Sequence, residues 1–368
     1  MTIITLIVVI VALVVVHEFG HFIAAKLFGM RVDEFGLGYP PRALTIGKKG
    51  DTLYTLNWLP FGGFVKIHGE EELLELDHAQ SSPRSFMSKN RFAQGVVLSA
   101  GIVMNIVFAY VLLASALALG MPRALSSNEL AQARQLERMV TRVMPDSPAA
   151  RAGLVAGDVI KRAATAQNAW DAKGAATFVT FVTETHGLPI ALALKRGGSD
   201  VSITVTPAQG VVQTDASRYA IGIEVTDVGI VRRSLGASIV EGFWMTVDMV
   251  RLTAEGLANF FTGILTLSAN LADVSGPVGM AGAVGAAQAD GIGSLLSLVA
   301  IISINLALIN LIPVPALDGG RLLFVIVEAI TRRRIKPRVA QTMNSVGFVF
   351  LVLLMVAVTV HDIFKLFS

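Results

Sequence analysis

Residues 17 to 21 read His-Glu-Phe-Gly-His and lie inside a long apolar stretch. On a helix, positions i and i+4 share a face, so both imidazoles can reach one divalent cation. Glu18 then stands beside any water held there and can accept its proton. Ionisable groups inside a span are costly, at least about 2.5 to 3.5 kcal/mol for a charge near the centre, so His17, Glu18 and His21 together need compensation. A metal supplies it. The plainer reading is a set of side chains that snorkel to water near a helix end, or half of a proton relay. The chain contains no cysteine, so a metal must be held by His, Asp or Glu. Catalytic zinc commonly takes three protein ligands and keeps a position for water, which leaves two histidines one partner short. The run NLIPVPALDGG, Asn310 to Gly320, offers Asp318. Pro313 and Pro315 break a helix there and can turn a carboxylate inward, and Gly319 with Gly320 lets the backbone approach closely. Taken alone, Asp318 reads as a helix-terminal or turn residue.

The elements that carry these groups are set by composition. The 368 residues are 53% hydrophobic and 15% charged, too apolar for an ordinary soluble protein. Four stretches are long enough to cross a bilayer: Ile3 to Phe28, Phe92 to Leu119, Leu295 to Ile312 and Val346 to Phe364. The first lacks the basic start and small-residue cleavage site of a secretory signal and is expected to be retained. At 1.5 Å per residue, His17 sits roughly 20 to 24 Å along it, still within the apolar thickness. Basic residues cluster after the first stretch (Lys26, Arg31, Arg42, Lys48, Lys49), before the second (Arg84, Lys89, Arg91) and after the third (Arg332 to Arg338). By the positive-inside rule these loops face the cytoplasm, and both chain ends and the long segment between the second and third stretches lie outside. The Arg332 to Arg338 run reads as a topology anchor rather than a nucleic-acid site.

Between the first two spans, short alternating runs flank the turn signal Gly47 to Asp51 and predict a β-hairpin, with a further strand at Phe64 to Ile67. A sheet this apolar beside two spans is expected to associate with the membrane over 31–67. The acidic Glu70 to Asp77 stretch reads as a solvated loop or short helix. Beyond Pro122 the composition changes to that of a small α/β domain, with strands at Val140 to Val143, Val159 to Lys161, Ile190 to Lys195 and Val201 to Thr206, and a helix at Ala175 to Glu184. In Met144 to Ile160, Ser147 caps a short helix from Pro148 and Gly153 ends it. That run resembles PDZ domains of bacterial envelope proteases, which bind extended peptides or chain ends at a sheet edge. A spacer that restricts access sterically is the other reading. Residues Arg232 to Leu271 interleave Glu241, Asp248, Arg251 and Glu255 with apolar positions, which predicts an amphipathic helix on the outer membrane surface or against the external domain. The glycine-rich Ser275 to Gly293 reads as a flexible connection. The expected divisions are 1–121, 122–230, 231–293 and 294–368.

Together the HEFGH and LDG motifs resemble the site-2 protease family of intramembrane zinc metalloproteases, within it the bacterial regulator-of-sigma-E protease branch. The resemblance extends to GFVKIHGE at Gly63 to Glu70, the external PDZ-like insertion and SGPVGM at Ser275 to Met280. It implies four transmembrane helices, a membrane-associated β-hairpin after the first, and one inserted extracytoplasmic PDZ domain, where some members carry two. It also implies Zn²⁺ held by His17, His21 and Asp318, Glu18 as general base, and Asn105 and Asn310 as groups that hold or polarise the substrate backbone. The implied substrates are transmembrane segments of single-pass proteins such as anti-sigma factors, or signal-peptide remnants, in a bacterial inner membrane. Two other classes remain on the residues alone: an intramembrane metal or proton transporter using the same side chains, and a catalytically silent PDZ scaffold.

Overall fold

The computed structural model describes residues 2–70, 82–125, 134–171, 174–197, 199–212, 215, 217–266 and 276–367. Most of the acidic stretch beginning at Glu70 and residue Ser275 lie outside these. The elements in chain order are α1 (Thr2–Leu27), β1 (Val32–Lys49), β2 (Thr52–Ile67), α2 (Arg91–Leu119), β3 (Met121–Ala124), β4 (Arg134–Val143), α3 (Pro148–Arg151), β5 (Val159–Ala164), β6 (Ala169–Trp170) and α4 (Ala175–Glu184). They continue with β7 (Ile190–Arg196), β8 (Ser199–Val205), β9 (Ile223–Val231), α5 (Leu235–Leu265), α6 (Pro277–Asp290), α7 (Ile292–Leu311), α8 (Asp318–Thr331) and α9 (Pro337–Phe367). The chain divides into two compact units, Met1–Ser115 with Leu235–Gly291 and Leu295–Ser368, and Ala116–Ser234 with Ile292–Ser294.

The first unit holds the membrane helices. Among the described residues, Thr2–Leu27, Arg91–Leu119, Ile292–Leu311 and Arg338–Val360 are long and apolar enough to span a bilayer. Between the first two of these, β1 and β2 bend and pair in several runs. Residues 42–49 pair with 52–57, and the outer run 63–67 pairs with 32–37. Under this sheet, Ala24, Ala25 and Met30 join Val32, Ile67, Phe86 and the α2 residues Ala93, Val97 and Leu98 in one apolar cluster. That cluster fixes the hairpin against the end of α1.

Two parts of this unit differ from the sequence expectation. The helix α5 packs beside the spanning helices: Met245, Met249, Val250 and Leu257, partly buried, lie on Ala109 and Leu113 of α2 and on Ala300, Ile304 and Leu308 of α7. These positions recur at helical spacing and form one stripe, while Phe243, Trp244 and Leu252 stay exposed. Arg251 and Glu255 pair on its exposed side at 2.8 Å. The expected glycine-rich connection is mostly the helix α6, begun by Pro277 at its first turn. Its small residues allow close approach: a Cβ at Gly285 would lie 3.1 Å from the Thr2 side chain. The Asp362 carboxylate of α9 accepts a hydrogen bond from the Gly279 N–H at 3.0 Å near the start of α6.

The second unit is built on a sheet of order β3-β9-β4-β5-β7-β8, with β6 on β5. Val140, Ile160, Ile190, Leu192, Leu194, Trp170 and the α4 residues Phe178 and Val182 form its core. Ser147 caps α3 by accepting from the Ala150 N–H at 3.1 Å. The strands and the helix expected between Val140 and Thr206 fall within β4, β5, β7, β8 and α4, except that β8 ends at Val205.

Candidate metal centre

His17 and His21 stand one turn apart on α1, both buried, with 7% and 6% exposure. Asp318 reaches them from a segment 301 residues away in sequence, its Oδ2 lying 2.8 Å from His17 Nε2 and 3.3 Å from His21 Nε2. The two Nε2 atoms are 3.2 Å apart.

Local sequence explains how the carboxylate gets there. After α7 the chain runs through the proline-containing loop 312–317, and α8 begins at Asp318 itself. A Cβ at Gly319 would come within 2.3 Å of the Leu311 carbonyl oxygen, and one at Gly320 within 2.3 Å of that of Val314. Only glycine lets the first turn of α8 lie against the loop that precedes it, and that contact holds Asp318 at the depth of the histidines. The facing helix makes a similar allowance. A Cβ at Gly101 of α2 would sit 2.3 Å from His21 Nε2 and 2.7 Å from His17 Cε1.

The donor set fits zinc. Four ligands around a zinc with bonds of about 2.0 to 2.1 Å lie about 3.3 Å from one another. The three separations seen here, 2.8, 3.2 and 3.3 Å, approach that edge length. Two imidazoles and one carboxylate are hard to borderline donors suited to Zn²⁺. The other nitrogen of His21, Nδ1, lies 2.8 Å from the Val97 carbonyl oxygen. That oxygen can only accept, which places a proton on Nδ1 and suits Nε2 to the role of metal ligand.

Glu18 points to the sheet. Its Oε2 accepts a hydrogen bond from the Val65 N–H at 3.0 Å. Val65 belongs to the outer run of β2, so its N–H is directed away from β1 and towards α1. Of the two asparagines, Asn105 is fully buried on α2 with its side-chain nitrogen 3.4 Å from His17 Nδ1. Asn310, half-buried near the end of α7, makes no hydrogen bond to these groups among the described residues. The structure therefore brings together His17, His21, Asp318, Glu18 and Asn105, and leaves Asn310 outside the hydrogen-bonded cluster. Sequence reasoning misses the Val65 amide and the Val97 carbonyl, which are backbone groups without a side-chain signature. It also misses Gly101, for which the available signal is its place one turn before Asn105 on an apolar helix.

The model of peptidase family M50 matches residues 5–354 of the chain. A Clostridium perfringens protein whose provisional name is zinc metalloprotease is 35% identical over 353 residues, covering 96% of this chain and 95% of that protein. The regulator of sigma-W protease RasP of Bacillus subtilis is 28% identical over 445 residues, covering 100% of this chain and 99% of that one. Among solved structures, the PDZ domain of an SdrC-like protein from Listeria innocua is 21% identical over 24% of this chain and 92% of that domain, with a TM-score of 0.20. A likeness at that score adds nothing to the strand order already described.

Proposed function

The chain belongs to peptidase family M50 and is a zinc metallopeptidase of the membrane, and on that premise we propose that it cuts peptide bonds inside transmembrane segments, with His17, His21 and Asp318 as ligands and Glu18 as general base. The observation that carries this reading is the approach of Asp318 to both histidines of the membrane helix α1, at 2.8 and 3.3 Å. Zinc, when bound, supplies Lewis acidity that makes water a nucleophile near neutral pH and polarises the scissile carbonyl.

The protein's own groups do the rest. Glu18 takes the proton of the attacking water and returns it to the leaving amine. The Val65 amide holds one of its carboxylate oxygens at 3.0 Å, leaving the other for that exchange. A substrate helix hides its carbonyls in internal hydrogen bonds and must unwind before it can be cut. The sheet over 31–67 is assigned the role of receiving an unwound segment by strand addition at an edge, with main-chain bonds supplying affinity. Asn310, near the end of α7, is assigned to contact with the substrate backbone. Asn105 is treated below.

The proposed substrates are single-pass membrane proteins, anti-sigma factors among them, in keeping with the sigma-W regulator named for the Bacillus relative. Signal-peptide remnants fit the same chemistry. The proposed setting is a bacterial inner membrane with the basic loops cytoplasmic and both termini outside. Residues 122–230, within the second unit, are assigned a PDZ role outside the membrane, binding a substrate chain end or limiting the size of what approaches.

Cleavage of a model transmembrane substrate by the purified full chain and by Glu18→Gln tests the assignment. The wild type cuts, and the variant keeps its zinc while losing activity by about 10²-fold or more. A Glu18→Gln protein that cuts at the wild-type rate would remove Glu18 from the role of base.

A further inference from the structure

We infer that Asn105 is the group that orients His17 for metal binding, with its side-chain oxygen as the partner of His17 Nδ1. The inference rests on the ligand set proposed above.

The starting observation is an unequal pair of histidines. His21 has a partner for its second nitrogen that can only accept, the Val97 carbonyl, which fixes the proton on Nδ1. For His17 the neighbour of Nδ1 is the Asn105 side-chain nitrogen at 3.4 Å, which can only donate. With that orientation Nδ1 of His17 is an acceptor and its proton sits on Nε2. There it is donated to Asp318 Oδ2 at 2.8 Å. That is the wrong tautomer for a ligand, because the nitrogen nearest Asp318 and His21 has no lone pair to offer.

A second observation points to the remedy. Asn105 is 0% exposed, and its Oδ1 is a buried oxygen with no hydrogen-bond partner among the described residues. Buried polar atoms are rarely left so. An amide's oxygen and nitrogen exchange places on a half-turn, and which is which is fixed by the hydrogen-bond network around them. After that half-turn the atom 3.4 Å from His17 Nδ1 is an oxygen, an acceptor for an N–H on Nδ1. His17 then has the same tautomer as His21, with Nε2 free. The turn requires no movement of the helix. The Asn105 carbonyl accepts from the Ser303 hydroxyl of α7 at 2.8 Å, a backbone contact that does not involve the side-chain amide. Metal-ligating histidines almost always give their second N–H to such an oxygen, and loss of that partner typically weakens metal binding 10- to 100-fold. Asn105 is thus a positioning residue acting through His17.

The experiment measures zinc affinity of the full chain in detergent by chelator competition, for wild type, Asn105→Leu, Asn105→Asp and Ser303→Ala. Leucine keeps the volume without an acceptor, and aspartate restores an oxygen. The expected result is zinc bound 1:1 by wild type, affinity about 10- to 100-fold weaker for Asn105→Leu, and affinity near wild type for Asn105→Asp and Ser303→Ala. Should Asn105→Leu not fold, Asn105→Ala takes its place in the comparison. Equal affinity of the leucine or alanine variant and wild type overturns the inference, and so does an aspartate variant as weak as either. A wild type that binds no zinc, or that binds it unchanged after His17→Ala, overturns instead the ligand set on which the inference stands.

Discussion

The N–H of Val65 and the carboxylate of Glu18, 47 residues apart in sequence, are joined by a hydrogen bond of 3.0 Å. A backbone group of the sheet edge thereby sets the direction of the one carboxylate on α1 that the ligand cluster does not use. Because the outer run of β2 pairs with β1 on its other side, this N–H is not needed by the ladder.

Val65→Pro removes that donor while leaving the sheet intact, since proline is tolerated where an edge N–H faces outward. The expected outcome is a fall in kcat of about ten- to a hundredfold, with zinc content unchanged, because a catalytic group has lost its alignment rather than its chemistry. Val65→Ala keeps the N–H and is expected to keep kcat. Steady-state cleavage of a transmembrane substrate by the two variants decides it. Equal loss in both would mean that the side chain matters and the amide does not.

Asp318→Asn keeps the shape of the side chain and removes its charge. The amide is a poor zinc ligand, so metal affinity is expected to drop by more than the hundredfold reached by losses outside the ligand set. The fold around it is held by the Gly319 and Gly320 contacts with the preceding loop, which the substitution does not touch. Chelator competition reads the affinity and circular dichroism the helix content. Undiminished zinc binding by Asp318→Asn would displace this residue from the site.

In the second unit, Asp158 is wholly buried and takes both arms of Arg196, Nε to Oδ1 at 2.6 Å and Nη2 to Oδ2 at 2.7 Å. Burial works against its ionisation, but the Arg196 guanidinium and the Val155 N–H outweigh that and hold the carboxyl below its usual range. A depressed folded-state pKa contributes stability above the unfolded value, about 3.9, which disappears as pH falls through the folded value. The unit is therefore expected to weaken below about pH 4, and Asp158→Asn to flatten that acid limb. At neutral pH the same variant should lose about 1 to 3 kcal/mol, less than for a fully buried pair because Arg196 is partly solvated. Fluorescence of Trp170 in the core of this unit, with Trp58 and Trp244 replaced, follows the unfolding.

The pairing of His17 and His21 was legible in the sequence because helical spacing alone puts them on one face. Asp318 was legible as a candidate through Pro313, Pro315 and the glycine pair, and its joining of the histidines through the resemblance that the two motifs carry together. The helix α4 and the strands around it followed from alternation and turn residues. What the sequence withheld depends on pairing between distant segments. The run 63–67 becomes an edge only when β1 folds beside it, and α5 finds its place only when α2 and α7 present Ala109 and Ala300. Charges on α5 point to a surface position, and its packing on α2 and α7 through a partly buried stripe has no sequence signal of its own. The orientation of Asn105 also lay beyond the sequence, because it depends on which His17 nitrogen carries the proton.

Gly101 gives the sharpest steric test of the centre. It lies on α2 opposite both imidazoles, and an added methyl would stand 2.3 Å from His21 Nε2 and 2.7 Å from His17 Cε1. Both distances are far inside van der Waals contact, and the rings cannot both retreat, since His21 is tied to Val97 and His17 to Asp318. Intrinsic helix propensity points the other way, because alanine in place of glycine inside a helix is favoured by about 1 kcal/mol. A control separates the two effects: at Gly95 on the same helix, a Cβ would meet its nearest neighbour, Leu322 Cδ1, at an ordinary 3.6 Å. Gly95→Ala is expected to retain zinc and activity and to unfold no sooner than wild type. Gly101→Ala is expected to lose at least a hundredfold in zinc affinity, beyond the range of an outer-shell loss, and with it cleavage. Zinc affinity and thermal unfolding measured on both variants decide the matter. If Gly101→Ala bound zinc like wild type, the two histidines would have to sit elsewhere than against the 101 position of α2.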